Sequence, residues 1–339
     1  MEKNAPNYYL ATQMFLAKFE ELWSAAVNSI NIDGEQLKGG NRLRPQICLW
    51  GYLLTINPSR VQEHDYTMIA NVAVSIELVH KASLLIDDWI DNDSERHGKK
   101  AFHIEYSPQQ AVLSALNMIG YAMDRLDGVF ANHITPSHNY YLCLNALVKT
   151  VHSMAEGALA ELRLENLDFF NRSKIEEIMQ LETAEILGNS MLLGYYAGVG
   201  ADVSKHIEKK LKEFGDKCGY LFQAFNDMEA FANPQKLVTH KGGWNLDYQS
   251  RRKNIAVVTL FELANERDRK AILESNESSL LRLMEKYQVL NTLKRELDNL
   301  YGNLIESCFA DFSNDIPDYW AHGLRNFLIY IKEFAEERL

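Results

Sequence analysis

Little in this chain breaks a helix. Its 339 residues include only 18 glycines and 7 prolines, and the long stretches between them carry apolar residues at a spacing near 3.6, as amphipathic helices do. No segment alternates apolar and polar residues between turn signals on both sides, which disfavours a sheet-based core. Cysteine is scarce: Cys48, Cys143, Cys218 and Cys308 stand far apart, with no CxxC or Cys/His spacing. They read as buried thiols in a reducing compartment rather than as a metal or disulfide framework. Basic residues are outnumbered, 35 to 46, for a net charge of −11, which disfavours nucleic acid as a partner. The N-terminus lacks a basic region followed by an apolar one, so no signal peptide is expected. The longest apolar stretch, Met68 to Ile86, contains Glu77, His80 and Lys81, which a membrane span does not carry cheaply. A cytoplasmic protein without a transmembrane segment is expected.

What is present is core. Hydrophobic residues make up 47% of the chain against 24% charged, enough to bury a sizeable interior. Helices are expected over Tyr9–Ile30, Arg42–Ile56, Val61–Asn92, Gln109–Phe130, Asn139–Leu164, Lys174–Ala197 and Ser204–Ala232, with three more near 252–270, 276–308 and 318–337. Without an interdomain linker or a fixed-period repeat, the sequence reads as one all-α domain, a single large helical bundle.

The helix expected over Val61–Asn92 ends in four carboxylates, Asp87, Asp88, Asp91 and Asp93. Asp87 and Asp91 stack on one helical face, and adjacent carboxylates repel, more strongly where water is scarce. Such a run is either a solvated helix end or a site for a cation. Aspartates suit Mg²⁺, which takes oxygen ligands, keeps several waters and bridges carboxylate to phosphate.

With this cluster and Gly39-Gly40-Asn41-Arg42-Leu43-Arg44-Pro45 both in view, the chain resembles the trans-isoprenyl diphosphate synthases, the polyprenyl synthetase family, as a divergent member. The resemblance runs from about Gly39 to Lys253. Its most specific block is Glu77 through Lys99, which carries helix, DDxxD, a basic pair and glycine in the family's order. It implies a single domain of the class I isoprenoid synthase type over 1–339: an N-terminal helix region (1–38), the catalytic motifs (39–253) and C-terminal helices (254–339). It also implies an enzyme that ionises an allylic diphosphate and condenses it with isopentenyl diphosphate, two or three Mg²⁺ ions, and a homodimer.

By the same resemblance, Asp87, Asp88 and Asp91 are catalytic metal ligands, joined by Asn226 and Asp227 of a second motif. Arg96, Thr183, Gln223, Lys241 and Lys253 fall at positions for the allylic diphosphate, with Lys241 also catalytic. Arg44, His80, Asn41 and His97 fall at positions for isopentenyl diphosphate. The chemistry is consistent: a departing group of about −3 charge is stabilised by metal together with Arg and Lys. A surface pair with Glu95 or Asp93 is the plain alternative for Arg96. Small residues at Ala82 and Ser83, with Val79 one turn lower, imply a hydrocarbon pocket open past the first gate and a product of C15–C20 or longer. The alternative is that they serve close helix packing.

Several positions depart from the family. The second DDxxD is Asn226-Asp227-Met228-Glu229-Ala230, and Glu229 points about 100° away from position 230 on a helix. Asn41 replaces a lysine, His97 an arginine, and Glu182 the lysine of a Lys-Thr pair. A histidine is charged only below about pH 6.5. A bond to a charged group is worth about 1.5–3 kcal/mol, so these losses weaken the isopentenyl side more than the allylic side. Three functions stay open: the condensing prenyltransferase; an enzyme giving the same allylic diphosphate another fate, by cyclisation or peptide prenylation; and a non-catalytic synthase subunit. The intact first cluster with Arg96 speaks against the last.

Overall fold

The computed structural model describes residues 8–32, 37, 39–131, 137–164, 168–200, 203–232, 254–274, 277–310 and 318–337. In order, the principal helices are α1 (Tyr8–Ser29), α2 (Leu43–Leu53), α3 (Glu63–Ile90), α4 (Phe102–Glu105), α5 (Pro108–Ala131), α6 (Ser137–Leu162), α7 (Arg172–Met179), α8 (Glu185–Gly198) and α9 (Lys205–Ala232). The chain continues through α10 (Ile255–Leu263), α11 (Glu266–Glu274), α12 (Glu277–Lys286), α13 (Val289–Ala310) and α14 (Asp318–Glu336). The all-α expectation holds.

Two helices make the centre. α3 packs against α1, α2, α5 and α8, while α8 lies among α2, α6 and α9. Every residue of α8 from Ile186 to Ala197 is buried, the mark of a helix apolar all round and enclosed on all sides. α3 is long and apolar enough to cross a membrane by length and composition, yet 72% of that window is buried inside the protein. Cys48, Cys143 and Cys218 are buried free thiols.

α2 and α8 touch backbone to backbone. A Cβ on Gly194 would stand 1.8 Å from the Cys48 carbonyl oxygen, and one on Gly51 would stand 2.0 Å from that of Met191. The crossing therefore needs glycine on both helices.

Departures from the expected boundaries have local causes. A π-turn over Gln180–Ala184 interrupts the helix expected at Lys174–Ala197. The helix expected near 252–270 breaks at Ala264, which is extended, and Asn265 restarts it by accepting from the Asp268 amide at 2.9 Å, a side-chain cap. The helix expected near 276–308 breaks at Gln288, whose φ is 50°. A two-residue antiparallel ladder pairs Glu95 with Lys100 and Arg96 with Lys99, too short for alternation to register in sequence. His97 and Gly98 make its turn with φ of 52° and 73°, the left-handed pair that a tight hairpin requires.

Gly194→Ala is expected to destabilise the fold by about 1–3 kcal/mol, the usual range for an overpacked core. Urea unfolding measures this, and an exposed control such as Gly120→Ala, which meets nothing within 4 Å, should not lose stability.

Candidate active site

The aspartate cluster closes α3 with a complete helix cap. Asn92 takes the left-handed conformation at φ 54°. Its amide returns to the Trp89 carbonyl at 3.2 Å, and that of Asp93 returns to the Asp88 carbonyl at 3.0 Å. This double closure is the Schellman arrangement, with asparagine in the left-handed place. The carboxylates therefore gather at the negative end of the helix dipole, where a cation is favoured.

Arg96 supplies one such cation. The chain turns past Asp93 into the hairpin, which brings Arg96 back onto Asp88. Arg96 Nε donates to both carboxylate oxygens of Asp88 at 2.7 Å, and a terminal nitrogen makes a further short contact to Oδ1. Asp88 is 1% exposed. Burial pushes its carboxyl above the ordinary aspartate range, Asp87 and Asp93 add to that push, and Arg96 opposes it. Asp87 differs: its side chain is 50% exposed, and Arg96 reaches it only at 4.0 Å. Asp91, one turn on, is partly exposed. Among the described residues no three His, Cys, Asp or Glu side chains converge into a metal cage. An open edge at Asp87 and Asp91 instead fits Mg²⁺, which completes its shell with water and substrate phosphate.

Two turns earlier on α3 lies a cluster of cations. Arg42 has φ 52° at the start of α2 and is held from several sides. It donates to Glu77 at 2.8 Å and to Glu20 at 2.8 and 3.3 Å, and it lies over the rings of Phe19 and Trp23. Arg44 donates to His80 at 3.0 Å. Burial, followed by the charges of Arg44, Lys81, Arg96 and Arg42, holds His80 well below its ordinary pKa. His80 is therefore neutral, with Nε2 as the acceptor and the proton on Nδ1. Burial also lowers Arg44 to about 10 and Lys81 to about 8, in the second case helped by Arg42, Arg96 and Arg44 against Glu77. Asn41 faces its own backbone, its Oδ1 accepting from the Leu43 amide at 3.2 Å. His97 is exposed at the hairpin tip.

The second motif forms a hydrogen-bonded line. Thr183 donates to Gln223 at 3.1 Å, and Gln223 donates to Asp227 Oδ1 at 2.8 Å. Asp227 Oδ2 accepts from the Ile255 amide at 2.8 Å, at the first turn of α10. The buried Asp227 thus ties the π-turn, α9 and α10 together. Asn226 is half-buried one residue before it. Lys241 and Lys253 lie outside the described residues.

The model of the family described as polyprenyl synthetase matches residues 32–291 of this chain. The chain belongs to the polyprenyl synthetase family. As a member it is a prenyltransferase, an enzyme that transfers an isoprenyl group. It is 25% identical to a short chain isoprenyl diphosphate synthase of Methanocaldococcus jannaschii, over 70% of this chain and 67% of that protein. It is 26% identical to a geranylgeranyl diphosphate synthase of Methanosarcina mazei, over 73% and 72%. Its fold matches the crystal structure of a Helicobacter pylori geranyltransferase complexed with magnesium and isoprenyl diphosphate. The TM-score is 0.70 at 18% identity, with 98% of this chain and 99% of that one covered.

For this polyprenyl synthetase the structure brings Asp87, Asp88, Asp91 and Arg96 to one helix end, Arg44 to His80, and Thr183, Gln223 and Asp227 into one line. Where the sequence allowed a surface pair with Glu95 or Asp93, Arg96 bonds Asp88, which is 1% exposed. Val79 and Ala82 are fully buried, and Ser83 donates to the His80 carbonyl at 2.8 Å. Sequence reasoning assigned no role to Arg42, Glu77 or Lys81. The signal was there in Glu77 and Lys81, charges four apart inside an apolar run that must find partners wherever the run is buried.

Arg96→Gln is expected to cost about 3 kcal/mol, because it leaves the Asp88 carboxylate buried without its partner. Adding Asp88→Asn should recover most of that stability in urea unfolding while turnover stays lost. A double variant no more stable than the single one would contradict the pairing.

Proposed function

We propose that this chain is a Mg²⁺-dependent prenyltransferase whose acceptor is isopentenyl diphosphate and whose product is C15–C20 or longer. The observation that carries the reading is the juxtaposition on α3 of a carboxylate end, Asp87 and Asp91, with a cation cluster around neutral His80 two turns away. One end suits a metal-bridged diphosphate, the other a diphosphate bound by cations alone. Asp87 and Asp91 would hold Mg²⁺ on the first side and Asp227, with Asn226, on the second. When bound, the metal stabilises the negative charge that develops as the allylic carbon–oxygen bond ionises.

The chain's own residues do the rest. Arg96 keeps Asp88 ionised and holds the hairpin against the end of α3. Arg44 faces the acceptor diphosphate and is oriented by His80, whose neutral ring adds no charge of its own. Lys241 and Lys253 are assigned to the allylic diphosphate by resemblance to the family. The small Ala82 and Ser83 support a long product, since neither places a bulky side chain one turn before Asp87. Exposed Leu113 and Leu116, one turn apart on α5, support a homodimer through that face. The buried free thiols support a cytoplasmic location.

The test is incubation with Mg²⁺ and labelled geranyl, farnesyl or geranylgeranyl diphosphate, with and without isopentenyl diphosphate, followed by product mass. Longer diphosphates are expected only when isopentenyl diphosphate is present, and Asp88→Ala should abolish them. Hydrocarbons or alcohols formed without it would replace condensation by cyclisation. No product at all would point to a peptide acceptor or a silent subunit. In light scattering the protein should run as a dimer and Leu116→Arg as a monomer; identical masses would reject that face.

A further inference from the structure

The charges around His80 do not cancel in pairs. Glu20 and Glu77 are both engaged by Arg42, and Asp88 is engaged by Arg96. Arg44 and Lys81 are left without an ion pair among the described residues. Arg44 meets only the neutral His80 ring, and its Nε is buried without a hydrogen-bond partner among the described residues. Lys81 is 5% exposed. Its ammonium donates to the Gly39 carbonyl at 3.0 Å, leaving two of its three N–H groups for another acceptor.

The loop it reaches is built around that ammonium. Gly39 and Gly40 have φ of 85° and 99°. A Cβ on Gly40 would stand 3.6 Å from Lys81 Nζ, and one on Gly39 would meet nothing within 4 Å. The loop is therefore open on its Gly39 side, and Gly40 lies in ordinary contact with the ammonium. Asn41, in the same loop, brings no charge, and its Oδ1 and backbone carbonyl accept from Leu43 and Gln46 at 3.2 and 2.8 Å. Two cations whose hydrogen bonds go to neutral partners, at the edge of an open loop, make a site for a multivalent anion.

We infer that Lys81 supplies from α3 the ammonium that position 41 lacks, and that with Arg44 it binds the diphosphate of the acceptor substrate. The inference deepens the function proposed above and rests on it only for the identity of that substrate. The cation has moved from loop to helix, so the acceptor side is re-sited rather than weakened.

The test uses the full chain at pH 7, where Lys81, at about 8, is mostly charged. Calorimetric titration with inorganic pyrophosphate, in chelator and without Mg²⁺, leaves the aspartate side unable to contribute. Lys81→Met is expected to weaken pyrophosphate binding about ten- to a hundredfold, the usual worth of a bond to a charged group. It should raise the KM for isopentenyl diphosphate by a similar factor and move the allylic KM by less than about threefold, on the same scale. Adding Asn41→Lys to Lys81→Met should restore most of the lost binding, an effect that a merely structural lysine would not give. Should Lys81→Met fail to fold, Lys81→Gln keeps a donor for the Gly39 carbonyl and carries the same expectation. Wild-type protein that does not bind pyrophosphate overturns the inference, as does undiminished binding by a folded variant or failure of the rescue. Pyrophosphate binding lost with Lys81 in a protein that never consumes isopentenyl diphosphate would reject the acceptor and leave the site standing.

Discussion

A helix that carries Glu77, Lys81 and Asp88 through a protein interior must be met there by opposite charge, because an unpaired buried ion costs more than its burial returns. The neighbours of α3 are arranged to supply it. Arg42 comes from the start of α2 and brings Glu20 of α1 into the same group, and Arg96 comes from the hairpin. Even the strained backbone of Arg42 follows, since a left-handed non-glycine residue persists where surrounding contacts over-determine it. The charges on α3 thus decide where three other segments dock.

Much of this was legible in the sequence because it rests on local chemistry. The helices around Leu10 to Val27 and Ile175 to Leu192 showed in their apolar stripes. The cluster at Asp87 to Asp93 showed because like charges at the end of an apolar run are rare. Breaks in the later helices were less visible: Asn265 and Gln288 are ordinary polar residues until their φ and hydrogen bonds are known. The π-turn left no mark, since one extra residue hardly alters an apolar stripe. Arg96 illustrates the limit most clearly. Spacing put it near both aspartates and a diphosphate, but only the left-handed turn at Asn92, past the end of α3, decides that it folds back onto Asp88.

The departures from the family also look different in three dimensions. Counted along the chain, Asn41 and His97 are lost cations and the isopentenyl side is the poorer half of the site. Counted around His80, four cations surround one neutral ring, and among the described residues four carboxylates pair with only two of them. A tally by motif position measures the loss; a tally by neighbourhood measures what the surroundings still offer. The two differ here because Lys81 belongs to no motif.

Asp227 occupies a different position in the same scheme. In the described hydrogen bonds its carboxylate joins α9 to the first turn of α10, so the C-terminal helices begin from the residue that also faces the catalytic motif. Exchanging Asp227 loosens the start of α10, where its carboxylate accepts from the Ile255 amide. The second motif can therefore drift at its flanks while its centre stays fixed by architecture, and an aspartate at that position testifies to the fold before it testifies to a metal.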